Sequence, residues 1–339
     1  MKAALLGLAQ SGRKTFFSLL TGREVPPNLK EGESLEGNAP IRDPRVDKLS
    51  AMYQPERTKY AENRIVLCPP IVAGRRDWLD SAKRCDLLCL LVRAFTDPAV
   101  YHQDGSVDAA RDRGALETEL WAADLELVEK RLDRIAREKK AGQDARQALE
   151  ERTLEKIKAH LETAMKISMP AGLEPHEVDT IRSLELLSLK PVLWVYNVDE
   201  DRLREPGDDC KVSCRIEREI MELEPAEREA YLRDLGVAQS GLERLNQAAY
   251  AALGLMSFYT VGKDEVRAWT IRIGTRAPAA GGKVHTDIER GFIRAEIMRY
   301  DDLIAAGSED ALRAQGKIQL KGRDYVIADG DICHFRFNV

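Results

Sequence analysis

The sequence of 339 residues lacks a strong excess of charge of either sign, and it lacks long apolar runs. A net charge of −5 argues against a general attraction to nucleic acid or to a membrane surface. No apolar run approaches the ~20 residues that a membrane-spanning helix needs, and no signal-peptide pattern opens the chain. With 44% hydrophobic residues, the chain is long enough for two or three packed domains, and we expect a soluble cytoplasmic protein.

Cysteine and histidine are few, and their spacing does not favour a metal site. The six cysteines include two close pairs, which are spaced Cys-x3-Cys rather than the Cys-x2-Cys of zinc sites. Cys85 and Cys89 flank or lie in an apolar run, so we expect buried free thiols. His285 and Asp287 lie two apart, but no partnered nucleophile accompanies them in a recognisable motif. We therefore predict no metal site and assign no catalytic residue.

The segment from residue 7 to residue 15 is a near match to a phosphate-binding P-loop. A P-loop reads glycine, four residues, glycine, lysine, then serine or threonine, between a strand and a helix. Here Arg13 stands where the lysine belongs, and Lys14 stands where the magnesium-binding hydroxyl belongs. An inserted residue would instead make Lys14 and Thr15 the lysine and hydroxyl pair, and the motif alone leaves both alignments open. The residues predicted to bind nucleotide here are Gly7, Gln10, Ser11, Gly12, Arg13, Lys14 and Thr15.

The apolar patterns predict an α/β protein with two further elements. The buried runs at 87–92 and 191–196 indicate parallel strands of one sheet. Between them, apolar residues recur at helical spacing on both sides of a break at 141–144, which predicts an antiparallel helical hairpin. From about residue 256 the alternation is that of β-strands, which indicates a small α+β module of about 80 residues.

The tip of the predicted hairpin is basic in an otherwise acidic chain. From Lys130 to Arg146 the sequence has seven lysines and arginines against three acidic residues. Such a run is either a solvated helix face or a binding site for RNA or another partner. The candidate partner-binding residues are Lys130, Arg134, Lys139, Lys140 and Arg146.

Several long stretches together resemble the Obg-like ATPases, also called the YchF family of translation-associated P-loop proteins. They lie at residues 92–112, 190–201, 263–271, 285–296 and 321–339. The resemblance implies a P-loop G domain with a mostly parallel sheet at 1–112 and 183–255. It also implies an α-helical coiled-coil insertion at 113–182 and a C-terminal β-grasp module, called TGS, at 256–339.

The resemblance also implies a ligand and partners. ATP or GTP would be the nucleotide and the ribosome or RNA the partner. Independently of the resemblance, we expect a monomer with no sequence-specific DNA binding and no membrane contact. In this family Asn-x-x-Glu replaces the base-recognition motif of ordinary GTPases and is associated with a preference for ATP. Asn197 and Glu200 occupy those positions, although a polar turn after a buried strand is also a common structural cap.

The chain departs from the family where magnesium is handled. A family Leu-Thr-Gly element follows the P-loop at a fixed distance, and its presence at residues 20–22 favours the ungapped alignment, with Arg13 replacing lysine. Residues 67–70, Leu-Cys-Pro-Pro, replace the Asp-x-x-Gly of switch II, so the metal-organising aspartate and the glycine amide are both missing. Residues 23–40 contain no threonine-bearing switch I motif. These changes argue against Mg²⁺.

Two functions are consistent with these observations. One is a ribosome- or RNA-associated protein that prefers adenine nucleotides and has weak or lost magnesium-dependent hydrolysis. The other is a nucleotide-independent scaffold that contacts RNA or protein through the helical tip and the TGS module.

Overall fold

The computed structural model describes residues 1–30, 32–139, 144–205 and 210–338. The chain divides into two compact units, one formed by residues 1–39 and 64–245 and the other by residues 40–63 and 246–339. The strands are β1 Lys2–Leu6, β2 Leu35–Ile41, β3 Arg57–Lys59, β4 Ala61–Leu67, β5 Leu87–Ala94, β6 Val192–Val198, β7 Cys210–Val212, β8 Leu255–Thr260, β9 Glu265–Arg272, β10 Phe292–Arg299, β11 Gln319–Lys321 and β12 Asp331–Phe337. The α-helices are α1 Arg13–Thr21, α2 Pro44–Tyr53, α3 Leu79–Lys83, α4 Ala109–Glu138, α5 Ala145–Ala164, α6 Pro175–Ile181, α7 Cys214–Glu222, α8 Pro225–Asp234, α9 Gly241–Ala252, α10 Ala277–Val284, α11 Thr286–Arg290, α12 Tyr300–Ala306 and α13 Glu309–Ala314.

The first sheet has the strand order β2-β4-β1-β5-β6-β7, and the five strands from β4 to β7 in this order pair in parallel. All eight residues of the central strand β5 are buried, as expected for a parallel sheet that is covered on both faces. The α/β fold class predicted from the sequence is confirmed. Because parallel strands end at the same edge, the carboxyl ends of β1, β5 and β6 bring the P-loop, residue 95 and Asn197 together.

The predicted border between the G domain and the C-terminal module differs from the observed one. The prediction left residues 40–63 in the G domain, but β3 pairs in parallel with β9 at the edge of the second sheet. Helix α2 packs Val46 and Leu49 into the core that contains Tyr259 and Val266. The second sheet has the order β11-β10-β12-β8-β9-β3. Three strand residues and a short helix carry too weak a pattern in sequence to indicate this long-range pairing.

The helical hairpin is present, but it begins inside the predicted G domain. Helix α4 starts at Ala109, where the Asp108 side chain accepts from the N–H groups of residues 110 and 111. Its first half packs Leu116 and Leu120 into the core of the parallel sheet, and its second half packs against α5. The predicted border at 112/113 therefore falls within a continuous helix. None of the helices in the described ranges is both long and apolar enough to cross a membrane.

Candidate functional site

The P-loop connects β1 to α1 and has the backbone that its glycines permit. Gly12 caps the helix with φ +94°, and Gln10 also has a positive φ of 60°. A Cβ atom on Gly12 would lie 2.4 Å from Nδ2 of Asn197, so only glycine fits there. Helix α1 begins at Arg13, directly after the Gly12 cap. In the ungapped alignment, Arg13 holds the position of the P-loop lysine.

The side chain of Arg13 is buried, with 8% of its surface exposed. Its Nη1 donates to the carbonyl oxygen of Cys68 at 2.6 Å, and its Nε donates to the carbonyl oxygen of Leu8 at 3.4 Å. Burial lowers the pKa of the guanidinium to about 10, because the charged form loses its hydration. Arg13, which was predicted to bind nucleotide, thus joins the P-loop to the segment after β4, and two of its N–H groups donate to backbone carbonyls.

Two other predicted nucleotide-binding residues also have structural partners. The Ser11 hydroxyl is buried and donates to the Leu8 carbonyl at 3.0 Å. Asn197 donates from Nδ2 to the Ser11 carbonyl at 3.2 Å, and its Oδ1 accepts from the N–H of Cys214 at 3.1 Å. Both ends of the Asn197 amide are therefore occupied by backbone groups. This residue connects the P-loop to the start of α7 and also lines the cleft at the ends of β5 and β6.

Three clefts share Thr15 as a lining residue. The largest, of about 1150 Å³, lies at the ends of β5 and β6 and is lined in part by Glu200, whose side chain is exposed. The charged residues that line it are mostly acidic: Asp97, Asp199, Glu200, Asp201, Glu219 and Glu222, with Arg204, Arg215 and Arg218.

A second cleft, of about 520 Å³, lies against the P-loop itself. Arg13, Lys14 and Lys30 line it, with Glu33 as its single acidic lining residue among those described. The P-loop end of the site is therefore positive, and the end near Glu200 is negative. Such a gradient suits a nucleotide whose phosphates lie at the loop and whose base carries exocyclic N–H donors.

Phe95 and Thr96 line the large cleft and were not singled out from the sequence. They follow the buried strand β5, and the rule that ligands bind beyond the carboxyl ends of parallel strands could have indicated them. Arg93 is buried and donates to the carbonyls of residues 95, 97, 100 and 101, which holds this loop in place. The Asp199 carboxylate accepts from the Thr96 N–H at 2.9 Å and joins the loop to the end of β6.

Comparison with known proteins identifies the family. Residues 255–338 match a family model named YchF-GTPase_C, described as a protein of unknown function (DUF933). The chain is 34% identical to the ribosome-binding ATPase YchF of Bacillus subtilis over 100% of both chains. It is 36% identical to the protein of that name from Haemophilus ducreyi, covering 100% of this chain and 99% of the relative.

Two further comparisons agree. Obg-like ATPase 1 of Oryza sativa subsp. japonica is 32% identical, with coverage of 100% of this chain and 92% of the relative. The solved structure of the Schizosaccharomyces pombe YchF GTPase superposes with a TM-score of 0.84 at 29% identity and covers 99% of this chain and 97% of its own. The chain belongs to the YchF family of Obg-like ATPases.

A P-loop of this family implies a magnesium ion, and the residues present do not fit one. In the ungapped alignment, Lys14 occupies the hydroxyl position, and an ammonium group repels a divalent cation. The segment after β4 offers Pro69 and Pro70 to the cleft, and the carbonyl of Cys68 already accepts from Arg13. Neither proline supplies a carboxylate or an N–H group. We therefore attribute no step of a reaction in this chain to a metal ion.

Across the described ranges, one group of three potential metal ligands occurs, at His102, Asp104 and Asp112. It lines none of the three clefts of this YchF-family site. His102 Nε2 lies 2.8 Å from Oδ2 of Asp112, and its Nδ1 accepts from the N–H of Asp104 at 3.2 Å. Both ring nitrogens are thus engaged within the protein, and the group holds the loop that leads into α4.

The basic tip of the hairpin is more nearly neutral than its sequence suggests. Lys130 pairs with Glu126 at 2.6 Å, Arg134 with Glu138 at 2.7 Å, and Lys139 with Glu151 at 3.0 Å. Among the residues that the structure describes, Arg146 is exposed and has no acidic side chain within 4 Å. Lys140, also predicted to bind a partner, lies outside the described residues.

Proposed function

We propose that this chain is a ribosome-associated protein that binds adenine nucleotide at the P-loop and hydrolyses it weakly or not at all with magnesium. Its relatives in Bacillus subtilis and Haemophilus ducreyi carry the name ribosome-binding ATPase, and the match extends over the full chain. Family membership supports nucleotide and ribosome binding. The weak hydrolysis is inferred from this chain's own residues.

The proposed loss of hydrolysis rests on the hydrogen bond from Arg13 to the carbonyl of Cys68. In an active P-loop protein, the lysine serves the phosphates, and the residues after the neighbouring strand organise magnesium and sense the γ-phosphate. Here the replacement for the lysine binds the backbone of the replacement for switch II. The two changes are therefore coupled in space, and both remove functions that phosphoryl transfer needs.

The preference for adenine is inferred from the acidic end of the large cleft. Adenine presents an exocyclic amine, which donates to a carboxylate, whereas the guanine oxygen in the same position would be repelled by one. Glu200 is exposed at this end and is free to accept from such a donor. Asn197 positions the cleft, since its own amide is already satisfied by Ser11 and Cys214.

Titration of labelled ATP, ADP, GTP and GDP into the purified chain tests this proposal. We expect binding of the adenine nucleotides to be tighter, and Glu200→Gln to reduce that preference. The fold-change in ATP affinity relative to GTP is the measured quantity. Steady-state hydrolysis should stay near background with magnesium present, and a rate comparable to that of a YchF relative with an intact P-loop would refute the loss of hydrolysis.

Ribosome association is tested by co-sedimentation of the full chain with ribosomes. Arg146 is an exposed tip cation without an acidic side chain within 4 Å among the described residues, so Arg146→Glu should weaken the association if the hairpin tip contacts RNA. Lys166→Glu is a matched charge reversal at an exposed position beyond the other end of α5 and should have little effect. Equal binding by both variants would exclude the tip as the contact.

The alternative is a scaffold that binds its partner without nucleotide. The buried, carbonyl-bonded Arg13 is the observation that favours it, since this cation is not free to move to a phosphate. Ribosome association that persists in a chain with no measurable affinity for any of the four nucleotides would establish this alternative.

A further inference from the structure

Lys14 is the one residue of the P-loop whose charge is both new to the motif and exposed. It is the second residue of α1, and it lines two clefts, the 520 Å³ cleft against the loop and a third cleft of about 510 Å³ beside α1 and α7. Within the described part of the chain, no acidic side chain lies within 4 Å of its ammonium group. Its charge is therefore available to a ligand.

The charges around Lys14 favour an anion. Arg13, Lys14 and Lys30 face Glu33 in the cleft against the loop, and Lys30 already lies 3.9 Å from Glu33. In the neighbouring cleft, Lys14 is accompanied by Arg218 and Arg23, with Glu24 as the acidic lining residue among those described. The first turn of the nine-residue helix α1 adds unpaired backbone N–H groups beside Lys14.

The same position excludes the ion that ordinarily neutralises nucleotide phosphates. In a P-loop protein the residue at the position of Lys14 gives a hydroxyl oxygen to Mg²⁺, which also requires near-octahedral oxygen ligands. A protonated amine offers no lone pair and repels the ion. Pro69 and Pro70, on the facing segment, supply no side-chain oxygen.

We propose that the ammonium group of Lys14 takes the place of magnesium, so that this P-loop binds nucleotide as the metal-free polyphosphate. The inference rests on the proposed nucleotide binding and specifies the ionic form of the ligand. An ammonium group is a compact charge with three N–H donors, and it neutralises adjacent phosphate oxygens without an ordered set of metal ligands. Magnesium complexes of the same nucleotides place a second cation beside Lys14 and bind more weakly.

The experiment is calorimetric titration of the full chain with ADP and ATP, in EDTA and in magnesium that exceeds the nucleotide. We expect binding in EDTA and a loss of about tenfold or more in affinity when magnesium is added. Lys14→Met should weaken binding in EDTA by about 10- to 100-fold, which is the range for one hydrogen bond to a charged group. Lys14→Arg should retain most of the affinity in EDTA.

Two controls separate this inference from a structural effect and from the proposed function. Lys166→Met removes an exposed cation that lines none of the three clefts, and its affinity in EDTA should change by less than about threefold. Thermal unfolding should match the parent for both methionine variants, because both side chains are exposed. Lys14→Ser should shift the preference towards the magnesium complex.

The outcomes are distinct. Nucleotide binding that requires magnesium in the parent chain, or affinity that Lys14→Met leaves unchanged in EDTA, would overturn the role of Lys14 while leaving nucleotide binding intact. Absence of binding in either buffer would overturn the proposed nucleotide binding and this inference together.

Discussion

Replacing Asn197 with alanine should destabilise the first unit and remove nucleotide binding, although both ends of its amide already bond to backbone groups. Its Nδ2 donates to the carbonyl of Ser11, and its Oδ1 accepts from the N–H of Cys214. Asn197 has 4% of its surface exposed, so truncation leaves two backbone groups without partners in a buried place.

The loss of unfolding free energy can be worked out from the two backbone groups that lose their partner, the Ser11 carbonyl and the Cys214 N–H. An unsatisfied buried donor or acceptor costs about 1–3 kcal/mol, so the pair should cost about 2–4 kcal/mol once partial relaxation is allowed. For a unit of this size, each kcal/mol corresponds to about 2–4 °C in Tm. We therefore expect Asn197→Ala to lower the Tm of the first unit by about 4–16 °C. Asn197→Asp should also destabilise it, because a carboxylate oxygen would face the Ser11 carbonyl.

Differential scanning calorimetry and hydrogen exchange measure this prediction. Calorimetry gives the Tm, and exchange should increase most at the amides of the P-loop and of the first turn of α7, because Asn197 joins these two segments. Asn28→Ala, at an exposed asparagine, provides the matched control. A Tm within 1 °C of the parent for Asn197→Ala, with unchanged exchange at the P-loop, would refute the bridging role.

Three further changes have expected outcomes. Gly12→Ala should cost at least about 2 kcal/mol in unfolding free energy, because its Cβ would lie 2.4 Å from Asn197 Nδ2, whereas Gly22→Ala, with open space around it, should cost about 1 kcal/mol. Burial raises the pKa of Glu217 from 4.5 to about 7. The folded chain therefore holds a proton that the unfolded chain loses, so the free energy of unfolding falls as pH rises from 4.5 to about 7. Glu217→Gln should remove up to about 3 kcal/mol of this pH dependence. Asp124→Asn should cost about 1–3 kcal/mol in thermal unfolding, because its carboxylate accepts from two backbone N–H groups at 2.7 and 2.8 Å and an amide accepts with one oxygen only.

Each of these predictions has a contrary result. Equal losses for the two glycine variants would show that the contact with Asn197 is not limiting. For Glu217, the direction of the pH dependence is the test. If the free energy of unfolding of the parent rises between pH 5 and pH 7, and Glu217→Gln abolishes that rise, the raised pKa is contradicted. An Asp124→Asn chain that unfolds at the temperature of the parent would show that the two N–H groups find other partners.

Much of the first unit could be predicted because its signals are local. The apolar runs of β5 and β6 are long enough to indicate buried parallel strands, and the glycine spacing at residues 7–12 indicates the loop between β1 and α1. The helical periodicity on both sides of residues 141–144 gave the hairpin for the same reason. The start of α4 was misplaced because this continuous helix packs against two different cores. The helical periodicity of the sequence stays the same at the point where the packing partner changes, so it gives no sign of the border.

The membership of residues 40–63 depended on non-local pairing. The pairing of β3 with β9 joins positions more than two hundred residues apart, and both strand segments would look alike in many sheets. Ion pairing at the hairpin tip was hidden in a similar way. A count of charges along residues 130–146 omits Glu126 and Glu151, which lie one helical turn away or on the facing helix.

The sequence by itself determined the family, the fold class and the unusual identity of the residues at positions 13 and 14, because these are matters of pattern and residue type. Only the tertiary structure decided what those residues do. Both follow the same glycine, yet Arg13 is buried against the carbonyl of Cys68, while Lys14 stays exposed at two clefts. Successive residues of a helix point about 100° apart, so adjacent cations meet different surroundings. That geometry separates a structural cation from one that is available to a ligand.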